Sequence, residues 1–404
     1  MHRKTFELVQ HTPIIHFQHD QTGATLRATE VKPRLDRFIL DHFVKLIPGD
    51  NNELIKSFKE LEKNIDSKGQ ALYKMQVVAP EIEPQKYLFL SSSIDDYARN
   101  QLREDIARKY GFLSTTVGNT GLFANEDKIL KKVAVDQSKK EEIYIGIMYS
   151  GQHKIIVECF DKGVLKLVCN ALPYFFLSTN FGLRKTKGFG SFTVMDPKKT
   201  FEASHLTALF PVIYYMERQS DWVVALQKVN SEYKKLKATN DRSKIRDYFL
   251  IKKPIIYWER LFINHKIVGK KDNVSIKLKS DDNEKTVIDD KKIKFVRALL
   301  GLAKSHQYPN AGDGKKADVY IEDAGKKDQD VERYSSPILF KITAGGIYLF
   351  ASPINKNILD REFHFFIGKD YKTSSQKGEL STPKEFHIDL FLENSLSQKE
   401  WKKL

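Results

Sequence analysis

The hydrophobic pattern is clearest between residues 164 and 176. Apolar side chains recur there at spacings of three and four residues, and they are Val164, Leu165, Leu167, Val168, Ala171, Leu172, Phe175 and Phe176. This spacing is typical of a helix that buries one face. Proline disrupts helix interiors, so Pro173 predicts that this helix kinks or stops near Leu172.

Other runs of apolar residues predict further elements in the first half of the chain. Strands are predicted at 4–19, broken at Pro13, and at 75–80, 87–91, 142–148, 154–160 and 192–194. Helices are predicted from Thr29, as N-cap, to residue 47 and over 51–68. The runs 142–148 and 154–160 are predicted to pair as a hairpin. The resulting order of strand, helix, hairpin, helix and strand is that of a ferredoxin-like domain.

The second half of the chain gives a weaker pattern. Helices are predicted at 205–218, 222–237 and 295–303, and charged excursions at 270–294 and 313–333. Two apolar runs flank Ala344-Gly345-Gly346, which predicts a hairpin over 337–350. Further strands or a closing helix are predicted at 363–366 and 386–392. We therefore predict an α+β protein with two ferredoxin-like (RRM-like) βαββαβ domains carrying insertions, at residues 1–200 and 201–404.

Composition narrows the choice of partner. The 404 residues carry a formal net charge of +15, and 11% of them are aromatic. Excess positive charge favours a polyanionic partner, and aromatic side chains favour RNA over a membrane surface. The two cysteines, Cys159 and Cys169, fall in apolar runs, so we expect buried free thiols in a reducing compartment. No signal peptide or membrane span is visible, which predicts a cytoplasmic protein that does not bind membranes.

Glycines, cations and aromatics alternate in a short segment after the helix. Residues 180–195 contain Gly182, Gly188 and Gly190 together with Arg184, Lys185 and Lys187. Free amides in such loops form anion-binding concavities. A Gly-x-Gly is often only a tight turn, and adjacent cations often only face water. A Walker-type loop is excluded, because it runs from strand to helix and needs a different spacing.

Two segments carry a family resemblance, and a third supports it. Residues 181–192, Phe-Gly-Leu-Arg-Lys-Thr-Lys-Gly-Phe-Gly-Ser-Phe, are similar to the glycine-rich loop of the RAMP superfamily of CRISPR-associated proteins. Residues 26–38 resemble the start of the first helix in RAMP subunits of the Cmr type, and residues 333–338 resemble a late serine-proline segment of the same subunits.

The resemblance implies an RNA-binding subunit of a type III CRISPR ribonucleoprotein effector complex that serves antiviral defence. Its expected partners are single-stranded guide or target RNA and other effector subunits. The implied RNA contacts are Arg27, Lys32, Arg34, Arg37, Gly182, Arg184, Lys185, Lys187, Gly188, Phe189 and Gly190. Phe189 is expected to be exposed and to stack on bases.

Two other functions stay open at this point. A metal-independent endoribonuclease that processes CRISPR RNA would need an acid and a base, for which His153, His205 and His306 are available without a partner at telling spacing. An assembly subunit would instead present the basic face to acidic proteins. His11, His16 and His19 with Asp20 lack the further ligands of a zinc site, so we expect neither a metal nor another cofactor.

Overall fold

The structure is a computed structural model of the chain. It describes residues 1–14, 25–47, 51–63, 65, 71–79, 82–89, 144–195, 206–217, 222–237, 244–252, 294–302, 305–309, 316–325, 334–367 and 377–404. The strands are β1 (His2–Gln10), β2 (Lys74–Val78), β3 (Ile82–Phe89), β4 (Tyr144–Gly151), β5 (His153–Cys159), β6 (Phe192–Val194), β7 (Val212–Glu217), β8 (Ser305–Pro309), β9 (Lys316–Asp323), β10 (Ile338–Ile342), β11 (Gly346–Ala351), β12 (Glu362–Phe366), β13 (Lys377–Ser381) and β14 (Lys402–Lys403). The α-helices are α1 (Ala28–Asp41), α2 (Asn52–Lys63), α3 (Lys162–Leu177), α4 (Trp222–Lys237), α5 (Lys244–Lys252) and α6 (Ile388–Ser395).

Contacts divide the chain into two compact units. The first contains Met1–Ser231 with the later segments Leu339–Phe350 and Lys399–Leu404. The second contains Glu232–Ile338 and Ala351–Gln398. The predicted boundary at residue 200 stays a prediction. The described helices include none long and apolar enough to cross a bilayer.

The first unit contains an antiparallel sheet in the order β2-β5-β1-β6. Both β1 and β2 run antiparallel to β5, so they are parallel to each other, and β5 and β6 are related in the same way through β1. The chain passes through α1 on its way from β1 to β2, and α3 joins β5 to β6. Each helical crossover therefore spans one intervening antiparallel strand.

The core of this unit lies between the sheet and the two helices. Phe38 of α1 and Phe175 of α3 meet with ring centroids 5.6 Å apart, and Phe176 and Phe192 are fully buried. Burial of each such side chain contributes roughly 1.5–3 kcal/mol. This packing explains why α3 continues through Pro173, where the sequence predicts a kink or an end: the turn after the proline buries Phe175, Phe176 and Leu177.

A second sheet of the first unit joins distant parts of the sequence. Its order is β10-β11-β7-β14, with β14 antiparallel to β7. The predicted hairpin is confirmed by β10 and β11, with a hydrogen bond from the Thr343 N–H to the Gly346 carbonyl at 2.9 Å.

The second unit contains the sheet β13-β12-β9-β8. Phe295 packs against Phe365 with ring centroids 4.8 Å apart, and it precedes a 3-10 helix at Val296–Leu300. Tyr248 of α5 packs against Phe391 of α6. The protein is therefore α+β with antiparallel sheets, as predicted.

Several sequence predictions are wrong. The helix predicted over 205–218 is strand β7 in its second half, because the sheet with β11 and β14 buries Val212, Ile213 and Tyr214. The predicted hairpin of β4 and β5 does not form, since β4 pairs with β3 whereas β5 pairs with β1 and β2. The N-cap position of α1 is Arg27 instead of Thr29, and the Arg27 side chain makes no capping hydrogen bond. The charged segment 313–333 contains β9.

Candidate functional site

The glycine-rich loop between α3 and β6 closes on itself. Asn180 and Ser191 form an isolated antiparallel bridge, and the Phe181 N–H donates to the Gly190 carbonyl at 2.9 Å. Gly190 has a φ of +62°, and a Cβ there would lie 2.0 Å from the Phe181 carbonyl oxygen. Only glycine fits this crossing without a shift of backbone.

The loop is also held from the end of β1. The Thr12 hydroxyl donates to the Gly188 carbonyl at 2.7 Å and accepts from the Ser191 N–H at 2.9 Å. The Gly190 N–H donates to the Pro13 carbonyl at 2.9 Å. Gly188 has a φ of +86°, and a Cβ there would lie 2.9 Å from Ile342 Cδ1. Gly188 and Gly190 are buried, so they shape the loop from the inside.

Strand β10 lies along the other side of the loop. The Phe340 N–H donates to the Thr186 carbonyl at 3.0 Å, and Lys187 forms a parallel β-bridge with Phe340. The Asn180 side-chain amide donates to the carbonyls of Phe340 at 2.8 Å and Lys185 at 2.6 Å. A strand that lies far along the sequence therefore sets the loop conformation.

Lys341 of β10 is completely buried beneath the loop. Its ammonium group donates to the Thr179 carbonyl and to the Phe192 carbonyl, both at 2.8 Å. It thus connects the residues after α3 to the first residue of β6. Burial lowers the pKa of Lys341 well below its ordinary value, and the positive charge of Arg34 lowers it further.

Helix α1 contacts the outer part of the loop through Glu30 and Arg34. Glu30 Oε1 accepts from the Gly182 N–H at 3.2 Å and from Arg34 Nη1 at 3.4 Å. Arg34 Nη2 donates to the Asn180 carbonyl at 2.9 Å, and its guanidinium carbon lies 4.7 Å from the centroid of the Phe181 ring. Arg34 is therefore positioned by a hydrogen bond and a cation–π contact.

Arg34, Arg37 and Lys185 form what we call the basic cluster. Burial lowers the pKa of Arg34, Glu30 raises it, and Arg37 lowers it. Loss of solvent around the Lys185 ammonium group lowers its pKa, the charge of Arg34 lowers it further and Glu30 raises it, although the residue as a whole is exposed. Arg34 therefore lies close enough to both Arg37 and Lys185 for their positive charges to repel it, and a bound anion would reduce that repulsion.

The remaining predicted contacts fall into different environments. Arg37 is exposed, whereas Arg27, Arg184, Lys187 and Gly182 are half-buried. Arg184 adopts a left-handed φ of +53°. The expectation that Phe189 is an exposed stacking residue is wrong, because its side chain is fully buried.

Lys32 lies outside the basic cluster and faces the interior. Its ammonium group contacts Asp36 Oδ2 and the Ala71 carbonyl, each at 2.8 Å, and lies 4.4 Å from the centroid of the Tyr73 ring. Asp36 is fully buried and also accepts from the Tyr73 hydroxyl at 2.6 Å. Lys32 therefore balances a buried carboxylate, and its spacing of four residues from Asp36 is the sequence signal for the pair.

The candidate acid–base histidine His153 is built into the core. Its Nε2 lies 2.7 Å from Thr25 Oγ1 and its Nδ1 lies 2.8 Å from the Gly151 carbonyl oxygen. It is 1% exposed, and burial lowers its pKa. This environment fits a structural histidine better than a general acid or base. Of the other histidines considered for catalysis, His205 lies outside the described residues and His306 has a side chain that does. His16, His19 and Asp20, which were considered as metal ligands, also lie outside the described residues.

Sequence reasoning missed Thr12, Asn180 and Lys341. Thr12 and Asn180 belong to no motif that indicates their role. Lys341 carries one usable signal, since it stands in the otherwise apolar run Ile338–Ile342. A lysine at such a position requires buried acceptors.

Comparison with known proteins assigns the family. Residues 1–240 match the model of the Cmr1 N-terminal domain, and residues 240–403 match that of the Cmr1 C-terminal domain. The crystal structure of apo Cmr1 from Pyrococcus furiosus is 11% identical, with a TM-score of 0.38, and the match covers 100% of this chain and 98% of that one. A chain in the cryo-EM structure of the Type III-B Cmr-beta complex bound to cognate target RNA is 10% identical, with a TM-score of 0.26, and the match covers 48% of this chain and 58% of that one. A comparison with curated protein sequences gave no match. On the evidence of the two domain models, which together span nearly all of its residues, the chain belongs to the Cmr1 family.

Proposed function

We propose that this protein is an RNA-binding subunit of a type III CRISPR effector complex, in which it holds single-stranded guide or target RNA. Membership of the Cmr1 family supports the assignment to an effector complex. The observation that carries the RNA proposal is the convergence of Arg34, Arg37 and Lys185 where α1 meets the glycine-rich loop.

We also propose a fold for each half of the chain. A ferredoxin-like first domain is supported by the β2-β5-β1-β6 order, in which each helical crossover spans one antiparallel strand. The second half, from residue 201, would then be a divergent ferredoxin-like domain.

The basic cluster suits the phosphate backbone better than base edges. Its guanidinium and ammonium groups supply charge and directed donors, and such contacts position RNA without reading its sequence. Arg34 is held in place before any ligand arrives, by the Asn180 carbonyl and the Phe181 ring, so little of its side-chain entropy is lost on binding. Arg37 and Lys185 keep their exposure and can reach neighbouring phosphates.

The test is binding of labelled single-stranded RNA across a salt series. We expect Arg37→Ala/Lys185→Ala to weaken binding at least about tenfold and to reduce the slope of log K against log salt by about 1.4, at about 0.7 for each phosphate that is no longer neutralised. The matched control is Lys162→Ala/Lys166→Ala. It removes the same number of positive charges from the N-terminal end of α3, which is the end farther from the glycine-rich loop. Equal losses of affinity in both variants would show that net charge alone, and no site, drives binding.

The same samples separate the alternatives. Discrete cleavage on a denaturing gel would replace RNA holding by endoribonuclease activity. Absence of binding by the unaltered protein at low salt, with retention in effector complexes after RNase treatment, would assign the basic cluster to acidic protein partners.

A further inference from the structure

The sheet of the second unit carries three potential metal ligands on one face. Glu362 and His364 on β12 and Glu379 on β13 each offer one ligand atom, and these atoms lie within 4.8 Å of one another. His364 is directly opposite Glu379 in the antiparallel register, and Glu362 is two residues away on the same strand. Both relationships place side chains on one face of a sheet. Backbone pairing therefore fixes this strand-face cluster.

The strand that carries the imidazole of this cluster is anchored by buried neighbours. Phe363 and Phe365, which flank His364 in the sequence, point to the opposite face and are fully buried. His364 itself is half-buried, with a side chain 23% exposed, while Glu362 and Glu379 are exposed. A ligand can therefore reach the cluster without a rearrangement of the core.

Other charged groups face the same side. Glu322 on β9 is opposite His364 on the far side of β12, so three carboxylates surround one imidazole. Lys377 is two residues from Glu379 on β13, and Lys294 donates to the hydroxyl of Ser381, the residue opposite Glu362, at 2.6 Å. Carboxylates at neighbouring sheet positions repel one another, and a divalent cation among them would remove that repulsion.

The separation of His364 and Glu379 fits ligands of one ion. His364 Nε2 lies 3.5 Å from Glu379 Oε1, which is long for a hydrogen bond. Two ligands that each lie about 2.1 Å from a tetrahedral ion are about 3.4 Å apart. Rotation of the exposed Glu362 side chain would complete the set.

We propose that Glu362, His364 and Glu379 form a zinc site that clips β12 to β13. One imidazole with two carboxylates is a ligand set that zinc accepts, and three protein ligands leave a fourth position for water or a partner's side chain. The ion would act by cross-linking two strands of the second unit. This proposal is independent of RNA binding.

Titration of metal-free protein with zinc chloride, followed by calorimetry, tests the site. We expect one zinc ion per chain and a melting temperature that rises with zinc concentration. His364→Gln and Glu379→Gln should each weaken zinc binding at least about tenfold, because each removes one of three protein ligands. Glu393→Gln, an exposed carboxylate on α6 of the same unit, is the control and should bind zinc unchanged.

Circular dichroism of each variant without zinc should match that of the unaltered protein, because the replaced side chains lie on the outer face of the sheet. Zinc binding that is unchanged in both ligand variants, or no binding by the unaltered protein at millimolar zinc, would overturn the proposal.

Discussion

The glycine-rich loop has a lysine on each of its two sides, and the surroundings of the two lysines are opposite. The inner side comprises the buried Gly188 and Gly190, which face Thr12 and strand β10, and it is contacted by the buried Lys341 of that strand. The outer side comprises the basic cluster, in which Arg37 and Lys185 face solvent. Lys341 donates to two backbone carbonyls on either side of the loop, whereas Lys185 is exposed, is repelled by Arg34 and is proposed to bind an anion. Burial, and not residue type, distinguishes the two roles.

The largest expected effect is on the inner side, at Gly190. We expect Gly190→Ala to reduce the free energy of unfolding by more than about 3 kcal/mol, because a Cβ would lie 2.0 Å from a backbone oxygen at a φ of +62°. Gly345→Ala is the control, since a Cβ there would lie 3.9 Å from its nearest neighbour, Thr343 Oγ1. Denaturant unfolding measures both, and similar losses of stability would contradict a tightly held inner side.

Lys341→Met should cost about 2 kcal/mol of stability, because it leaves the Thr179 and Phe192 carbonyls without their donor. The folded-state pKa of Lys341 lies below the ordinary 10.5, so the unfolded chain binds more protons and the stability of the protein should rise with pH up to about 10.5. The variant should lose this part of the rise. Parallel pH profiles for the two proteins would show that Lys341 does not titrate as its burial predicts.

The outer side should give the reverse result. Arg37→Ala/Lys185→Ala should change the free energy of unfolding by less than about 0.5 kcal/mol, as expected for surface substitutions, while RNA affinity falls as described above. A large loss of stability in this variant would remove the distinction between the two sides.

A small effect confined to acid pH is expected at His153, whose ring meets Phe192 edge-on with centroids 5.2 Å apart. Its folded-state pKa is lowered from 6.5 by burial, so the unfolded chain binds the proton more tightly and stability is lost as pH falls below about 6.5. His153→Gln should flatten this acid-side loss of stability, which unfolding measured at about pH 5 and about pH 8 detects. An unchanged pH profile would assign the acid sensitivity to other groups.

Elements with a strong local pattern could be predicted from the sequence. The apolar spacing of 164–176 predicts α3, the Ala344-Gly345-Gly346 turn predicts the β10–β11 hairpin, and the loop motif carries the RAMP resemblance that the Cmr1 family models confirm. These features depend on neighbours within a few turns or residues. A short segment of the sequence is therefore enough to predict each of them.

Contacts across long separations could be found only in the folded chain. Phe189 lies among glycines and cations in the sequence, which suggests an exposed stacking residue, but its side chain is buried. Lys341 lies below a loop that is distant in sequence, and His364 lies opposite Glu379 only because of the register of two strands. Helix α3 continues through Pro173 because the core buries the following turn. In each case the stabilising free energy comes from packing and desolvation between segments that are distant in sequence. A local sequence pattern therefore does not indicate these contacts.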